Sequence, residues 1–289
     1  MSSASYLFFT LAIILVCGNS NAQMLWKITK DDLKTPSYIV GTHHYCTETY
    51  CDSIPGLSRA FEEVSLIVGE YNMLNSKSEI LDISNMMMMP PDTSLSSLFS
   101  EEEILIVDTY LKNTINTSIE TFDKFKPMAV IVSVQTKIIM NAFPSTINAL
   151  SMDKCLQIKA NERNKNVDGL ESTYDQMKLL FGGTLKEQAQ ALLEAAHNNR
   201  DSLNSILELT NAYKSQNLEY FGEIFMKYMA GYDYENVVNK RNANWEKRIS
   251  IFIQDQPTLI IVGAGHLPGE FGIINRLKKQ GYKLEPVRE

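Results

Sequence analysis

The chain has four histidines, and two of them end the same small pattern of an apolar, β-branched run, a glycine turn and an imidazole. Residues 38–44 read Tyr-Ile-Val-Gly-Thr-His-His, and residues 258–266 read Thr-Leu-Ile-Ile-Val-Gly-Ala-Gly-His. A third apolar run, residues 65–69, delivers Glu70. His44, His266 and Glu70 make two imidazoles and a carboxylate, a ligand set of hydrolytic zinc sites that leaves one position open for water. An ion held there would acidify that water and polarise a substrate carbonyl. Spacing alone favours structural histidines satisfied by hydrogen bonds in glycine turns over metal ligands. His43 competes with His44, because adjacent residues at a strand end point in opposite directions.

The elements that must position these residues follow from patterning. Residues 25–28 and 37–40 read as strands around a polar turn, a plausible hairpin. A short helix over 54–64 leads to the strand 65–69, as in a β-α-β unit. Near the other end, a strand over 258–262 is followed by a helix around 271–280, stopped by Gly281, and by a last strand in 282–287. Between about 72 and 254 the strand signal almost disappears. Ile104, Val107, Leu111 and Ile115 repeat at helical spacing, as do Leu185, Ala189, Leu192 and Ala196, then Leu218, Phe221, Phe225 and Tyr228. The expected fold is α/β, bordering on α+β, with a central mixed sheet made by the N- and C-terminal parts and a long, mostly helical insertion. If the strands run parallel, His44, Glu70 and His266 meet at the carboxyl edge, where open α/β sheets place their ligand crevice.

Three further features stand out. Arg241 falls on an apolar helical stripe with Val238, Trp245, Ile249 and Phe252, so it needs a partner or a polar cleft; it makes a structural salt bridge, or else it positions Glu70 or binds a substrate oxyanion. The run Met86 to Met89 points all round a helix, which favours adaptable packing over soft-metal binding. His197 sits at a polar helix end, where solvent satisfies it.

A net charge of −7 with no basic cluster excludes a nucleic-acid footprint, and 44% hydrophobic residues support a sizeable core. Residues 6–17 form an apolar run followed by Gly-Asn-Ser-Asn-Ala, the form of an export signal over residues 1–22, cleaved after Ala22; lipidation at Cys17 is the alternative. No later run approaches membrane length. Cys46, Cys51 and Cys155 remain. Export makes a Cys46–Cys51 disulfide possible, with buried free thiols the alternative and a metal role the weakest reading.

At these residues the chain resembles the TraB/GumN (TraB/PrgY/GumN) family, in a wider superfamily with the Tiki proteases, erythromycin esterases and ChaN haem-binding proteins. Gly41-Thr42-His43-His44 corresponds to the first G-T-x-H motif, with His44 the motif histidine, and residues 262–267 match the C-terminal motif. Glu70, Met152-Asp153-Lys154-Cys155-Leu156, Gly169-Leu170-Glu171-Ser172 with Gln176, and Arg241-Asn242 with Trp245 resemble the segments between. The resemblance spans residues 23–289 as one domain. It implies a metal-dependent peptide-bond hydrolase: His44 and His266 hold a divalent ion such as Mn²⁺, Co²⁺ or Zn²⁺, Glu70 is a third ligand or general base, and Arg241 orients substrate or stabilises the oxyanion. His43, Glu171 and Asn242 are the implied substrate contacts. The alternative it leaves open is a binding or regulatory protein that takes a signal peptide or haem in the same cleft without turnover.

Overall fold

The two histidine-tipped runs, far apart in the chain, become neighbours. The computed structural model describes residues 23–74, 83–229 and 234–288; the expected leader, 1–22, lies outside them. Its strands are β1 (Leu25–Thr29), β2 (Ser37–Thr42), β3 (Leu66–Gly69), β4 (Asn166–Gly169), β5 (Thr258–Gly263) and β6 (Lys283–Pro286). They form one sheet in the order β4-β3-β5-β2-β1-β6. Strand β5 pairs in parallel with β2 on one side and β3 on the other, and β4 continues the parallel set beyond β3. Strand β1 is antiparallel to both β2 and β6, so the expected hairpin and the mixed sheet are present. β2 is buried throughout and β5 nearly so, as expected of parallel strands whose sequence runs apolar without alternation.

Strand β4 corrects the sequence reading: a strand lies inside the segment expected to be helical. Its residues, Asn-Val-Asp-Gly, are mostly exposed at the sheet edge, so no apolar period marks them.

The helices are α1 (Leu57–Glu63), α2 (Glu101–Ile115), α3 (Pro127–Ala142), α4 (Met152–Glu162), α5 (Thr173–Phe181), α6 (Leu185–His197), α7 (Asn199–Lys214), α8 (Leu218–Met229), α9 (Lys240–Asp255) and α10 (Ile273–Lys279). The expected insertion divides between two cores. Helices α4, α7, α8 and α9 send Met152, Leu156, Tyr213, Phe221, Trp245 and Ile249 into the sheet's own core. Helices α2, α3 and α6 build a separate cluster around Val107, Leu111, Val130, Val134 and Leu192. The methionine run is not a helix face over its whole length. Its later residues cross beside the segment that precedes α3: Lys126 N–H donates to Met87 O and Met89 N–H donates to Lys124 O, each at 2.8 Å. His197 is exposed, in the last turn of α6.

The Cys46–Cys51 disulfide is not present; Cys46, Cys51 and Cys155 are all buried free thiols. Cys51 lies in a 3-10 helix, Glu48–Ser53, that packs on α4. Its electrostatic neighbour is Cys155 of α4, whereas Cys46 senses Lys214. Closeness in sequence did not give two side chains a common direction. Burial pushes the Cys46 thiol up to about 11 and the Cys51 thiol up to about 12, so neither is a ready nucleophile.

Candidate active site

Four parallel strands end at one edge, and each delivers part of a polar cluster. After β3 comes Glu70, after β4 Glu171, after β5 the turn Ala264–His266, and after β2 the pair His43 and His44. The pairing of β3 with β4 runs one step past the strands: Glu171 N–H donates to Glu70 O at 2.9 Å, which sets the two carboxylates side by side. Two close approaches favour glycine. A Cβ on Gly41 would lie 2.8 Å from Leu267 Cδ1 and 3.0 Å from Ala264 Cα, so the first turn rests directly on the second. A Cβ on Gly263 would lie 3.2 Å from Glu70 Oε1, 3.8 Å from His266 Cδ2 and 4.0 Å from His44 Nε2. Those three groups ring a single point.

Glu70 is buried, with each oxygen held by an N–H: Gly263 N donates to Oε1 at 2.8 Å and Arg241 Nη2 to Oε2 at 2.7 Å. Burial opposes its charge, but His266, Arg241, His44 and the Gly263 N–H outweigh burial and hold its carboxyl down at about 2. It is a carboxylate at neutral pH.

Arg241, near the start of α9, braces this edge. Its Nη2 donates to Glu70 and to Glu171 Oε1, both at 2.7 Å, and its Nε donates to Glu171 Oε2 at 3.2 Å. Its Nη1 donates to Val237 O at 3.3 Å and lies 3.3 Å from His266 Nε2. A guanidinium has five N–H donors, and all five are committed. Arg241 therefore positions Glu70, and the oxyanion reading loses its donor. Trp245 donates from Nε1 to Glu171 Oε2 at 3.1 Å and lies under the guanidinium, 4.3 Å from ring centre to Cζ. Glu171 is thus wholly engaged inside the protein, as is Asn242, and neither is free to contact a substrate as expected. Burial raises the Glu171 carboxyl, offset in part by Arg241 and Trp245.

Asn242 instead sets the protonation of His266. Its Nδ2 donates to His266 O at 3.1 Å and Phe271 O at 3.0 Å, which leaves Oδ1 as an acceptor 2.7 Å from His266 Nδ1. In the neutral ring Nδ1 therefore carries the proton, and the Nε2 lone pair faces Glu70 Oε1 at 3.9 Å. Burial, with Arg241 and His44 acting in the same direction, pushes His266 down to about 4 despite Glu70, so the ring is neutral. An imidazole with Nδ1–H held by an oxygen presents its Nε2 lone pair outward, as metal-ligating histidines do; here Arg241 Nη1 donates to that lone pair at 3.3 Å, so an ion would have to displace this contact.

His44 stands at the mouth, its side chain 65% exposed. Asp153 of α4 lies beside it, Oδ2 3.8 Å from Nδ1, and its carboxylate raises the imidazole to about 9 against a smaller opposing effect of burial. His43 turns the other way, into aromatic packing against Tyr45, Tyr213 and Phe221. Its Nε2 is 2.9 Å from Thr210 Oγ1, whose own proton goes to Ile206 O, so Nε2 is the donor. Burial drives His43 down to about 3, with His44 and Lys214 adding to the effect. A buried ring of this kind is not the expected substrate contact.

Asp153 and Thr42 had no assigned role on sequence grounds. Asp153 is buried; its Oδ1 accepts from Thr42 Oγ1 at 2.7 Å, and its Oδ2 has no hydrogen-bond partner. Behind the Ser151 cap of α4, an aspartate reads as an ordinary first-turn acid.

The donor chemistry of His44, His266 and Glu70 suits a borderline divalent ion. Two ligands of one tetrahedral ion sit about 3.3 Å apart for bonds near 2.0–2.1 Å; Glu70 Oε1 and His266 Nε2 are slightly wider at 3.9 Å. Among the described residues no three His, Cys, Asp or Glu groups are close enough to hold an ion as they stand. None of the described helices is long and apolar enough to cross a membrane.

The sequence is also similar to known proteins. The chain is 23% identical over 313 aligned positions to "Metalloprotease TIKI1" of Danio rerio, an alignment that covers 90% of the chain and 62% of the relative's length. No solved structure matches. The family match runs over residues 24–286, from just before β1 to the end of β6. On that extent of agreement the chain belongs to the TraB/PrgY/gumN family.

Proposed function

We propose that this protein is a metal-dependent hydrolase acting on peptide bonds, with His44, His266 and Glu70 as its ion-binding set. The observation that carries the reading is the ring of Glu70 Oε1, His44 Nε2 and the His266 imidazole edge around one point beside Gly263, while each imidazole Nδ1 faces a side-chain oxygen. Similarity to a metalloprotease supports the hydrolase class. A divalent cation there supplies an acidified water and a polarised carbonyl. The chain's own groups do the rest. Asn242 keeps His266 in the tautomer that offers Nε2, and Arg241 with Gly263 N–H keeps Glu70 ionised and aimed. Glu171 balances the guanidinium, and His44, at the exposed mouth, is the ligand a substrate meets first. Export through a leader ending at Ala22 belongs to the same reading.

The test compares metal content and peptide cleavage of the chain from Gln23 onward with those of the His44→Ala, His266→Ala double variant, folding checked by circular dichroism. Near-stoichiometric metal and cleavage in the first, both absent in a folded variant, support the reading. Stoichiometric capture of a peptide or haem without product points instead to a binding protein. Equal metal in both proteins, or none in either after addition of Mn²⁺, Co²⁺ or Zn²⁺, sinks the ion-binding set.

A further inference from the structure

We propose that Asp153 is the positioning residue for His44: its Oδ2 accepts the Nδ1 proton of His44 and turns Nε2 toward Glu70 and His266. The proposal concerns the free protein, and it rests on the metal reading only for its effect on ion affinity.

Three observations carry it. Asp153 Oδ2 is buried without a hydrogen-bond partner, and an orphaned carboxylate oxygen costs enough that a partner is expected nearby. The available group is His44 Nδ1 at 3.8 Å. That gap is too short for a bridging water, which needs about 4.5 Å or more between the groups it joins, and it closes directly by a small rotation of a ring that is 65% exposed. The carboxylate itself is held. Thr42 Oγ1 fixes Oδ1 at 2.7 Å, and the residue sits in the first turn of α4, where the helix dipole favours negative charge. Thr42 is the last residue of β2, two positions before His44, so one strand end supplies both the clamp on the carboxylate and the imidazole it orients. His266 already has the matching contact in Asn242 Oδ1 at 2.7 Å.

The experiment reads the tautomer of the neutral His44 ring from long-range proton–nitrogen correlations in ¹⁵N-histidine-labelled, metal-free protein, beside Co²⁺ titration calorimetry. The expected wild-type result is the proton on Nδ1. Asp153→Leu, close in shape but without an acceptor, is expected to move it to Nε2 and to weaken Co²⁺ binding about 10- to 100-fold. Asp153→Asn, which keeps one acceptor oxygen, is expected to restore most of both, a rescue that a purely packing role would not need. A wild-type ring protonated on Nε2 overturns the proposal by itself, even if the leucine variant fails to fold. So does a folded Asp153→Leu with the wild-type tautomer and affinity. Tautomer loss in a protein that takes up no Co²⁺ supports the proposal and defeats the metal reading, whereas normal Co²⁺ uptake with an unaltered tautomer does the reverse.

Discussion

The two histidine turns are near copies in sequence and opposites in setting. His266 is buried, 7% exposed, bonded to a neutral amide, packed at a tilt against Trp245 and held neutral. His44 has a side chain 65% exposed, faces a carboxylate and is held cationic until about pH 9. The motif determines where the chain turns; the element packed behind the turn determines what the imidazole is. Behind His266 stands α9 with Asn242, Trp245 and Arg241, and behind His44 stands only the first turn of α4. One turn is a built fixture, and the other is the adjustable side of the site.

The strongest way to break this contrast is activity. His44→Ala and His266→Ala are each expected to reduce peptide cleavage to background, because a shared ion needs both; retained cleavage in either single variant, measured on a fluorogenic peptide, would remove that turn from the site. Next comes the brace that only the second turn uses. Arg241→Ala leaves Glu70 and Glu171 buried without their counter-charge, and urea denaturation should register a loss of about 3–5 kcal/mol. A loss under about 1 kcal/mol would mean that water compensates the pair and that the site is wetter than its burial implies.

Stability then separates the two histidines. His266→Ala removes a buried ring and strands Asn242 Oδ1, so it should cost about 2–4 kcal/mol. His44→Ala removes an exposed ring and lets water reach Asp153 Oδ2, so it should cost less, about 1 kcal/mol. Equal costs from the same urea curves would erase the distinction.

The pH dependence sharpens it further, because the signs differ. His266 and His43 have folded pKa values of about 4 and 3, below the ordinary 6.5. The unfolded chain takes up their protons first, so stability is full above pH 6.5 and declines as pH falls, on the order of 1.4 kcal/mol per pH unit for each group while only the unfolded form titrates. His43→Phe should flatten part of that acid limb. His44, raised to about 9, contributes stability that is full below pH 6.5 and fades as pH rises through 9; solvent screening makes this the smallest effect. Urea midpoints across pH 4–10 for wild type, His43→Phe and His44→Gln would show an acid limb changed by one substitution and an alkaline shoulder changed by the other.

What was legible in the sequence was whatever left an apolar signal. Buried strands ending in glycine and a polar residue located His44, Glu70 and His266, and Arg241 announced itself by intruding on an apolar helical stripe. β4 was invisible because an exposed edge strand has no apolar face to display. Asp153 was hidden because an acid behind a serine cap already has an ordinary explanation, and only the structure shows its second oxygen without a partner. Asn242 was named for the wrong reason, since sequence does not say which backbone carbonyls an amide will find. The split of the helical segment between two cores also escaped detection, because an amphipathic stripe does not state what it packs against.

The place of β5 has a consequence for how the molecule comes into being. Among the described residues, strand β3 pairs with β4 and β5, and β2 pairs with β1 and β5. Before residues 258–263 leave the ribosome, the pair β1–β2 and the pair β3–β4 lack the strand that joins them, and any sheet they form has an open edge where β5 belongs. Open edges invite wrong partners, and contacts such as Thr42 to Val262, 220 positions apart, are slow to form. The site is therefore among the last features to be assembled, and a chain stopped short of Thr258 would lose the seam between the two strand pairs as well as a histidine.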